Sequence, residues 1–533
     1  MRHAFPRLRF IVTVAAVLVS ATASGQSRPL ATAALADDAA QAAPAVRRLS
    51  VDDAVRLAVE QNLGIQIERF NPQIHDLTIA QTRAAWAPTL TSNIANTSTD
   101  TAATSVFAGG QNKVTDGRFE TSFGVGQLLQ TGANYNVSWN NSRSTSTNFF
   151  NTFDPQLRSN LSFTFTQPLL RNFKIDTVRQ QLAVDQKVRE GSDVDLRAAI
   201  VQTMRNVRNA YWDFAFQIDN LAVQRQSLDL AKRLLADNEK RVQIGTMAPI
   251  DIVEAQAEVA RNDESVIVAE AGIEQAQDRL RALIFDPSEP DFWSTTIQPT
   301  DTAPFEALIV DIDLAVRRAL TERTDIQQSR NLLQRDDIGV RYLRNQVLPE
   351  VNANVTYGVV GVGGVRYQPI NFNALPTGGA SPPRIIQSEQ SFASVLGDVF
   401  GNAFPTWTVG VQIGYPVGRS ASEANLARAR LQYSQAQTRL RELELQVATQ
   451  VRDAGRQVQT NQKRVASARA ARELAERRLE AVEKKFAAGI ETSFFVFQAQ
   501  RDLAQARTNE VRAISDHNKS LVDFEAVQAV PLR

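Results

Sequence analysis

Cysteine is absent from the 533 residues, which excludes disulfides, thiolate zinc sites, cysteine nucleophiles and a lipid-bearing cysteine behind an export signal. Histidine is nearly absent too: His3, His75 and His517 leave almost no material for a metal cluster or a catalytic triad. Charge is almost balanced, 58 basic against 57 acidic residues, so nothing suggests a nucleic-acid partner. Beyond the N-terminal region no stretch of roughly 20 residues is apolar throughout, as a spanning helix requires. That excludes a helical membrane protein but leaves room for a barrel, whose strands need only about 9–11 residues. There is no G-x-S-x-G. The "GVVGVGG" run at Gly358 lacks a following helix and Lys-Ser/Thr, so it is expected to be strand and loop rather than a phosphate cradle. No catalytic residue, cofactor or metal site is expected. Energy for any transport must come from another protein.

Proline is missing from two long stretches, Pro168 to Gly245 and Pro416 to Gly489, which are 245 − 168 = 77 and 489 − 416 = 73 residues by subtraction. Helices filling most of those spans, at about 1.5 Å per residue, would be on the order of 100 Å long.

The N-terminus carries Arg2, Arg7 and Arg9, an apolar run from Phe10 to Val19, then small residues in "SATASGQ". This is the pattern of a cleaved signal peptide, assigned to residues 1–25. Residues 26–48, rich in Ala, Asp and Pro without apolar periodicity, are expected to be a flexible leader.

The chain repeats itself. "DDAVRLAVEQNLGIQ" from Asp52 aligns with "DLAVRRALTERTDIQ" from Asp313, an offset of 313 − 52 = 261. Ala54, Val55, Arg56, Ala58, Ile65 and Gln66 recur as Ala315, Val316, Arg317, Ala319, Ile326 and Gln327, and the register holds to Pro88 and Pro349. Further on, Pro168 answers Pro416, and the turn "RVQIGTMAPIDIVEAQ" answers "KFAAGIETSFFVFQAQ". Two copies of one unit are expected, at residues 49–310 and 311–533. Each contains a helix, proline, strands, proline, a long helix, a glycine turn and a returning helix, and the first closes with an equatorial segment.

After Pro88 and Pro349 the hydrophobic period becomes two. Val351, Ala353, Val355, Tyr357 and Val359 alternate with Asn352, Asn354, Thr356 and Gly358, and Ala133, Tyr135, Val137 and Trp139 alternate with Asn134, Asn136, Ser138 and Asn140. Each strand therefore has one apolar and one polar face. A soluble sandwich alternates as well. The Asn, Ser, Thr, Gly and Gln of the polar face, together with the export signal, favour an outer-membrane barrel. In the proline-free stretches the period is that of a coiled coil: Met204, Val207, Tyr211, Phe214, Ile218 and Leu221 in one, Val451, Ala454, Val458, Val465, Ala468, Ala475, Leu479, Val482 and Phe486 in the other. Asn461 and Arg472 interrupt the second seam, either to fix register, to face a solvated interior, or as ordinary imperfection.

In these features the chain resembles the TolC family of outer-membrane efflux and secretion ducts. The resemblance rests on the "A-V-x-x-A" helices, the Pro88 and Pro349 junctions, "TWTVGVQIGYPVGRSASEANLARARLQYSQAQ" and both G-x(9)-A-Q turns, and Pro168 and Pro416 are expected as the other two helix–barrel junctions. It implies an α+β membrane protein: a homotrimer whose subunits each give four strands to a shared β-barrel and long helices to a coiled-coil periplasmic tunnel. "FETSFGVGQLLQTGANYNVSWN" departs from that pattern. It has the character of an extra hairpin turning at Thr131-Gly132, giving six strands per subunit or an extension outside the wall. The loop from Arg366 to Phe404 is expected outside the cell, with a part that could fold back as a plug.

The turns themselves need only be helix connectors, with Gly245 and Gly489 as left-handed caps and basic residues at each preceding helix end. The resemblance adds a docking role. Gly245, Thr246, Met247, Gly489, Ile490 and Glu491 would form the tips that meet a periplasmic membrane-fusion adaptor and, through it, an inner-membrane transporter. In the family, acidic residues six and nine positions after the second tip glycine narrow the entrance. Here those positions are Phe495 and Gln498, while Asp251 and Glu254 hold the same offsets in the first copy. All four are candidate gate residues; Phe494, Phe495 and Phe497 have the alternative of being coiled-coil knobs. The expected function is a passive exit duct of a tripartite efflux pump or type I secretion system. The alternative is a secreted coiled-coil scaffold with a small β domain.

Overall fold

The computed structural model describes residues 46–104, 112–301, 305, 309–369, 384–418 and 420–528. The signal-peptide assignment and most of the leader lie outside them. The leader's end does not: β1 (Val46–Leu49) pairs in parallel with β6 (Thr296–Pro299), so ordered structure starts within residues expected to be a flexible leader.

The elements run in the same order twice. The first copy has α1 (Val51–Gln61) and α2 (Leu63–Ala84), four strands, α3 (Thr177–Gln243) and α4 (Ile250–Ile284). The second has α5 (Ile312–Glu322) and α6 (Thr324–Gln346), three strands with α7 (Phe392–Phe400) among them, α8 (Ala421–Ala487) and α9 (Ser493–Val527). α3 and α8 are both 67 residues, α4 and α9 both 35. Among the described residues no helix is long and apolar enough to cross a membrane.

The recurring "A-V-x-x-A" has a packing reason. Ala54, Ala58 and Ile65 are fully buried, as are Ala319 and Ile326, with Ala315 only 2% exposed. In the first copy these alanines lie in a core with Val207, Tyr211, Phe214, Leu280 and Ile284, closed by Leu49 and Ile297 of the β1–β6 pair. Small side chains let α1 approach the long helices closely, and the second copy repeats this with Val447 and Val451. Asn62 breaks α1 from α2 in an extended conformation and its side chain caps α2.

Six long strands form one antiparallel sheet, in the order β2 (Thr89–Ala102), β3 (Lys113–Leu128), β4 (Asn134–Ser146), β5 (Phe153–Pro168), β7 (Glu350–Tyr367) and β9 (Pro405–Gly414). A short β8 (Ile386–Gln390) pairs with the far end of β7. This exceeds the four strands the resemblance implied. β3 and β4, joined at Thr131-Gly132, are paired in the sheet on both sides rather than set apart from it. The "GVVGVGG" run lies inside β7. Each junction proline marks the change of period: β2 starts after Pro88, β5 ends on Pro168, β7 starts after Pro349 and β9 ends two residues before Pro416.

Register carries one face across all six strands. Leu90 stands beside Val125, Val125 beside Val137, Val137 beside Phe163, Phe163 beside Tyr357 and Tyr357 beside Trp407. Every exposed large hydrophobic residue of these strands has that parity: Leu90, Ile94, Phe119, Phe123, Phe163, Val355, Tyr357, Trp407, Val409, Val411 and Ile413. The opposite face carries Asn93, Ser122, Asn140, Asn160 and Thr408.

α7 lies on the apolar face. A Cβ at Gly361 would meet the Val395 carbonyl at 2.3 Å, and one at Gly363 would meet Val395 Cγ2 at 2.6 Å, so only glycine admits the helix so close. Phe400 extends the contact to Trp139, ring centres 6.3 Å apart. Residues 370–383 of the 366–404 loop, on which part of a plug would fall, lie outside the described residues. The apolar sequence of α7, with Val395 and Val399 buried, suits the apolar face.

Candidate functional site

The two helical turns are built alike. Gly245 (φ 76°) and Gly489 (φ 74°) adopt the left-handed conformation that ends a helix. Thr246 N donates to Arg241 O and Gly245 N to Val242 O; Ile490 N donates to Lys485 O and Gly489 N to Phe486 O. These bonds satisfy the last carbonyls of α3 and α8 in the Schellman pattern. Nothing lies within 4 Å of a Cβ built on either glycine, so the requirement for glycine is conformational, not steric.

The structure brings the two turns together. Arg241 donates to Phe486 O at 3.3 Å, and its guanidinium carbon is 4.3 Å from the centre of the Phe486 ring. Ser493 Oγ donates to Asp251 Oδ1 at 3.4 Å, joining the first turns of α4 and α9. Lys485 pairs with Glu491 at 3.4 Å. An apolar cluster of Leu234, Ala255, Leu479, Phe486, Val496, Phe497 and Leu503 lies just behind, and Met247 packs on it. Sequence reading missed the Arg241–Phe486 pair. The basic residue at the end of one helix and the aromatic at the end of the other were visible, but not that they face each other.

The tip residues separate by exposure. Gly245, Thr246, Gly489 and Ile490 are exposed; Met247 and Glu491 are half-buried. Of the gate candidates, Glu254, Phe495 and Gln498 are exposed and Asp251 is half-buried against Ser493. The knob alternative divides: Phe497 is 3% exposed and packed in the cluster, whereas Phe494 and Phe495 stand out at 53% and 45%, their rings in edge contact at 5.6 Å.

Higher up, both interruptions of the α8 seam reach across to α9. Asn461 is buried and donates to Asp516 O at 3.0 Å. Arg472, in step with Val451, Val458, Val465, Leu479 and Phe486, bonds Glu510 at 2.5 Å and Glu476 at 2.9 Å, and Arg507 joins Glu476 at 3.0 Å. Polar groups that can be satisfied in only one alignment fix helix register. Burial pushes the Glu476 carboxyl up, but hydrogen bonds from Arg507 and Arg472 outweigh it and hold its pKa below the ordinary value. Among the described residues no group of His, Cys, Asp or Glu is arranged to hold a metal ion.

Comparison with known proteins agrees with this architecture. No curated protein sequence matches. Among solved structures, the Campylobacter jejuni CmeC outer membrane channel is similar at 14% identity over 90% of this chain and 85% of that one, with a TM-score of 0.60. The Vibrio cholerae outer membrane protein VceC matches at 14% identity over 91% and 97%, TM-score 0.60. The open state of the Neisseria gonorrhoeae MtrE outer membrane channel matches at 16% over 91% and 89%, TM-score 0.58. At such identities the likeness shows the fold. The outer membrane efflux protein family matches the sequence itself in two segments, residues 127–284 and 315–526, and the chain belongs to that family.

Proposed function

We propose that the protein is the passive exit duct of a tripartite efflux pump or type I secretion system, working as a homotrimer in the outer membrane with its helices in the periplasm. It conveys small molecules or proteins and catalyses nothing. The observation that carries this reading is the apolar band: eleven large hydrophobic side chains exposed on one face of the sheet, opposite a face of Asn, Ser and Thr. Lipid on one side and water on the other call for that division. A secreted scaffold would leave the band in water, which monomeric soluble proteins avoid.

Self-association follows from the edges. Among the described residues β2 pairs only with β3 and β9 only with β7, which leaves each protomer two unpaired strand edges, and lipid does not tolerate such edges. Pairing β9 of one protomer with β2 of the next closes the wall. The two copies, at 49–310 and 311–533, then give the tunnel two kinds of tip. Thr246 and Met247 of one, Ile490 and Glu491 of the other, with the glycines that shape them, are the surface for a membrane-fusion adaptor, which links the duct to an inner-membrane transporter. The exposed Phe495 and Gln498, with Asp251 and Glu254, narrow the closed entrance.

Fractionation tests the reading. Heat-modifiable trimers in the outer-membrane fraction, resistant to salt, are expected; extraction by salt as a soluble protein would overturn it. Photo-cross-linking from Thr246 and Ile490 in cells should capture an adaptor, and its failure from both positions would remove the docking role.

A further inference from the structure

β3 and β4 are bound into the sheet as firmly as the strands on either side of them. The backbone register runs for 14 residue pairs between β2 and β3, 13 between β3 and β4 and 11 between β4 and β5. A hairpin adds one strand in each direction, so β2 and β9 remain antiparallel edges able to meet across protomers. It also preserves parity: Phe119, Phe123 and Val137 continue the apolar band, Ser122, Asn136 and Asn140 the polar face.

The turn between β3 and β4 is fixed to the helix–strand junction. Gly132 (φ 83°) sits so close that a Cβ there would lie 2.8 Å from Asn172 O and 2.9 Å from Arg179 Nη2. Those groups belong to a partly buried polar knot. Arg179 bonds Asp176 and Asn172 O, and Asn172 is held by Asn345 and Gln346 at the end of α6. On the other side Gln127 donates to Trp86 O at 2.7 Å and accepts from Tyr135 OH at 2.8 Å. A hairpin lying outside the wall would have to break the registers with β2 and β5 and leave this knot exposed.

We propose that the assembled duct closes on eighteen strands, six from each of three protomers, and that its barrel is as wide as the helical tunnel beneath it. This rests on the trimeric reading above. Next to the sheet each protomer presents four helices, α2, α3, α6 and α8, which make a ring of twelve, about 120 Å around at an interaxial spacing near 10 Å. Eighteen strands at about 4.8 Å spacing, tilted by roughly 40°, make a wall about 110 Å around, whereas twelve would make one of about 75 Å at the same tilt. With eighteen strands the membrane section adds no second constriction. Size selection is left to the tips, and any cargo that fills the helical tunnel, folded polypeptide included, passes the barrel. The lumen face of the added hairpin and its neighbour carries Asp116, Arg118, Glu120 and Arg158, of both signs, so it sets no strong ionic preference.

The test is electron cryomicroscopy of the full chain purified from outer membranes into lipid nanodiscs. Eighteen strands in a closed wall, about one half wider than a twelve-strand barrel, are expected. A trimer closed by twelve strands, with residues 113–146 outside the wall, overturns the inference and leaves the duct standing. Monomers without a closed wall overturn the duct reading itself, and the inference with it.

Discussion

The Arg241 guanidinium lies 4.3 Å from the centre of the Phe486 ring while donating to the Phe486 carbonyl, so the last turn of α3 grips the last turn of α8. The two turns are thereby one structural unit, although 486 − 241 = 245 residues separate them. A cation over an aromatic face contributes about 1 kcal/mol at a partly exposed site. Arg241→Ala should accelerate hydrogen exchange of the amides around Phe486 and Val496 about five-fold without affecting trimer yield. Arg241→Lys should recover only part of the protection, because an ammonium lacks the planar stack. Unchanged exchange in the alanine variant would show that the contact does not couple the tips.

The tip glycines should tolerate asparagine better than alanine. Their left-handed φ costs an ordinary side chain about 1–2 kcal/mol, and no neighbour crowds the site. Gly489→Ala and Gly245→Ala should lower adaptor cross-linking yields, with Gly489→Asn and Gly245→Asn closer to wild type. Equal yields in all four would mean that the shape of the turn does not matter for docking.

Phe495→Ala tests the gate. Removing an exposed aromatic from the proposed entrance should raise single-channel conductance of the closed state and increase antibiotic leakage into cells. Phe497→Ala should instead lower stability by about 3–5 kcal/mol, the usual cost of emptying a buried aromatic site. If Phe495→Ala leaves conductance unchanged, the gate lies elsewhere.

Acid should loosen the α8–α9 pair. The Glu476 pKa is depressed in the folded state, so its contribution to stability is complete above the ordinary carboxylate value of 4.5 and is lost as pH falls through the lower, folded-state value. Melting temperature should therefore fall on acidification below about pH 4.5, and Glu476→Gln should flatten that dependence. A variant with the wild-type pH profile would assign the acid sensitivity to other carboxylates.

Gly361→Leu should expel α7 from the sheet, since even a Cβ would come within 2.3 Å of Val395 O. Protease cleavage between residues 384 and 404 should rise sharply while trimers persist. Continued protection would place the stabilising contacts of α7 elsewhere.

Much of this was legible along the chain because it depends on near neighbours. A period of two assigns every strand residue to a face, and the exposed apolar residues all fell on the face that alternation gave them. Helix length followed from where proline is absent, and the left-handed turns from Gly245 and Gly489. The alanines of "A-V-x-x-A" were recognisable as a repeat, though not as the seats where α1 and α5 meet the long helices. Asn461 and Arg472 were visible as breaks in a seam, but their partners Asp516 and Glu510 were not, because the sequence does not state which face of α9 comes opposite.

The sequence by itself determined the alternation of faces, the seams, the caps and the double copy, all consequences of local stereochemistry and short-range periodicity. Only the tertiary structure decided that β3 and β4 enter the sheet, that α7 covers Gly361 and Gly363 on its apolar side, and that Arg241 meets Phe486. Each of those outcomes depends on which distant surfaces can approach without a clash and satisfy one another's polar groups, and that is a property of packing in three dimensions rather than of any stretch of chain.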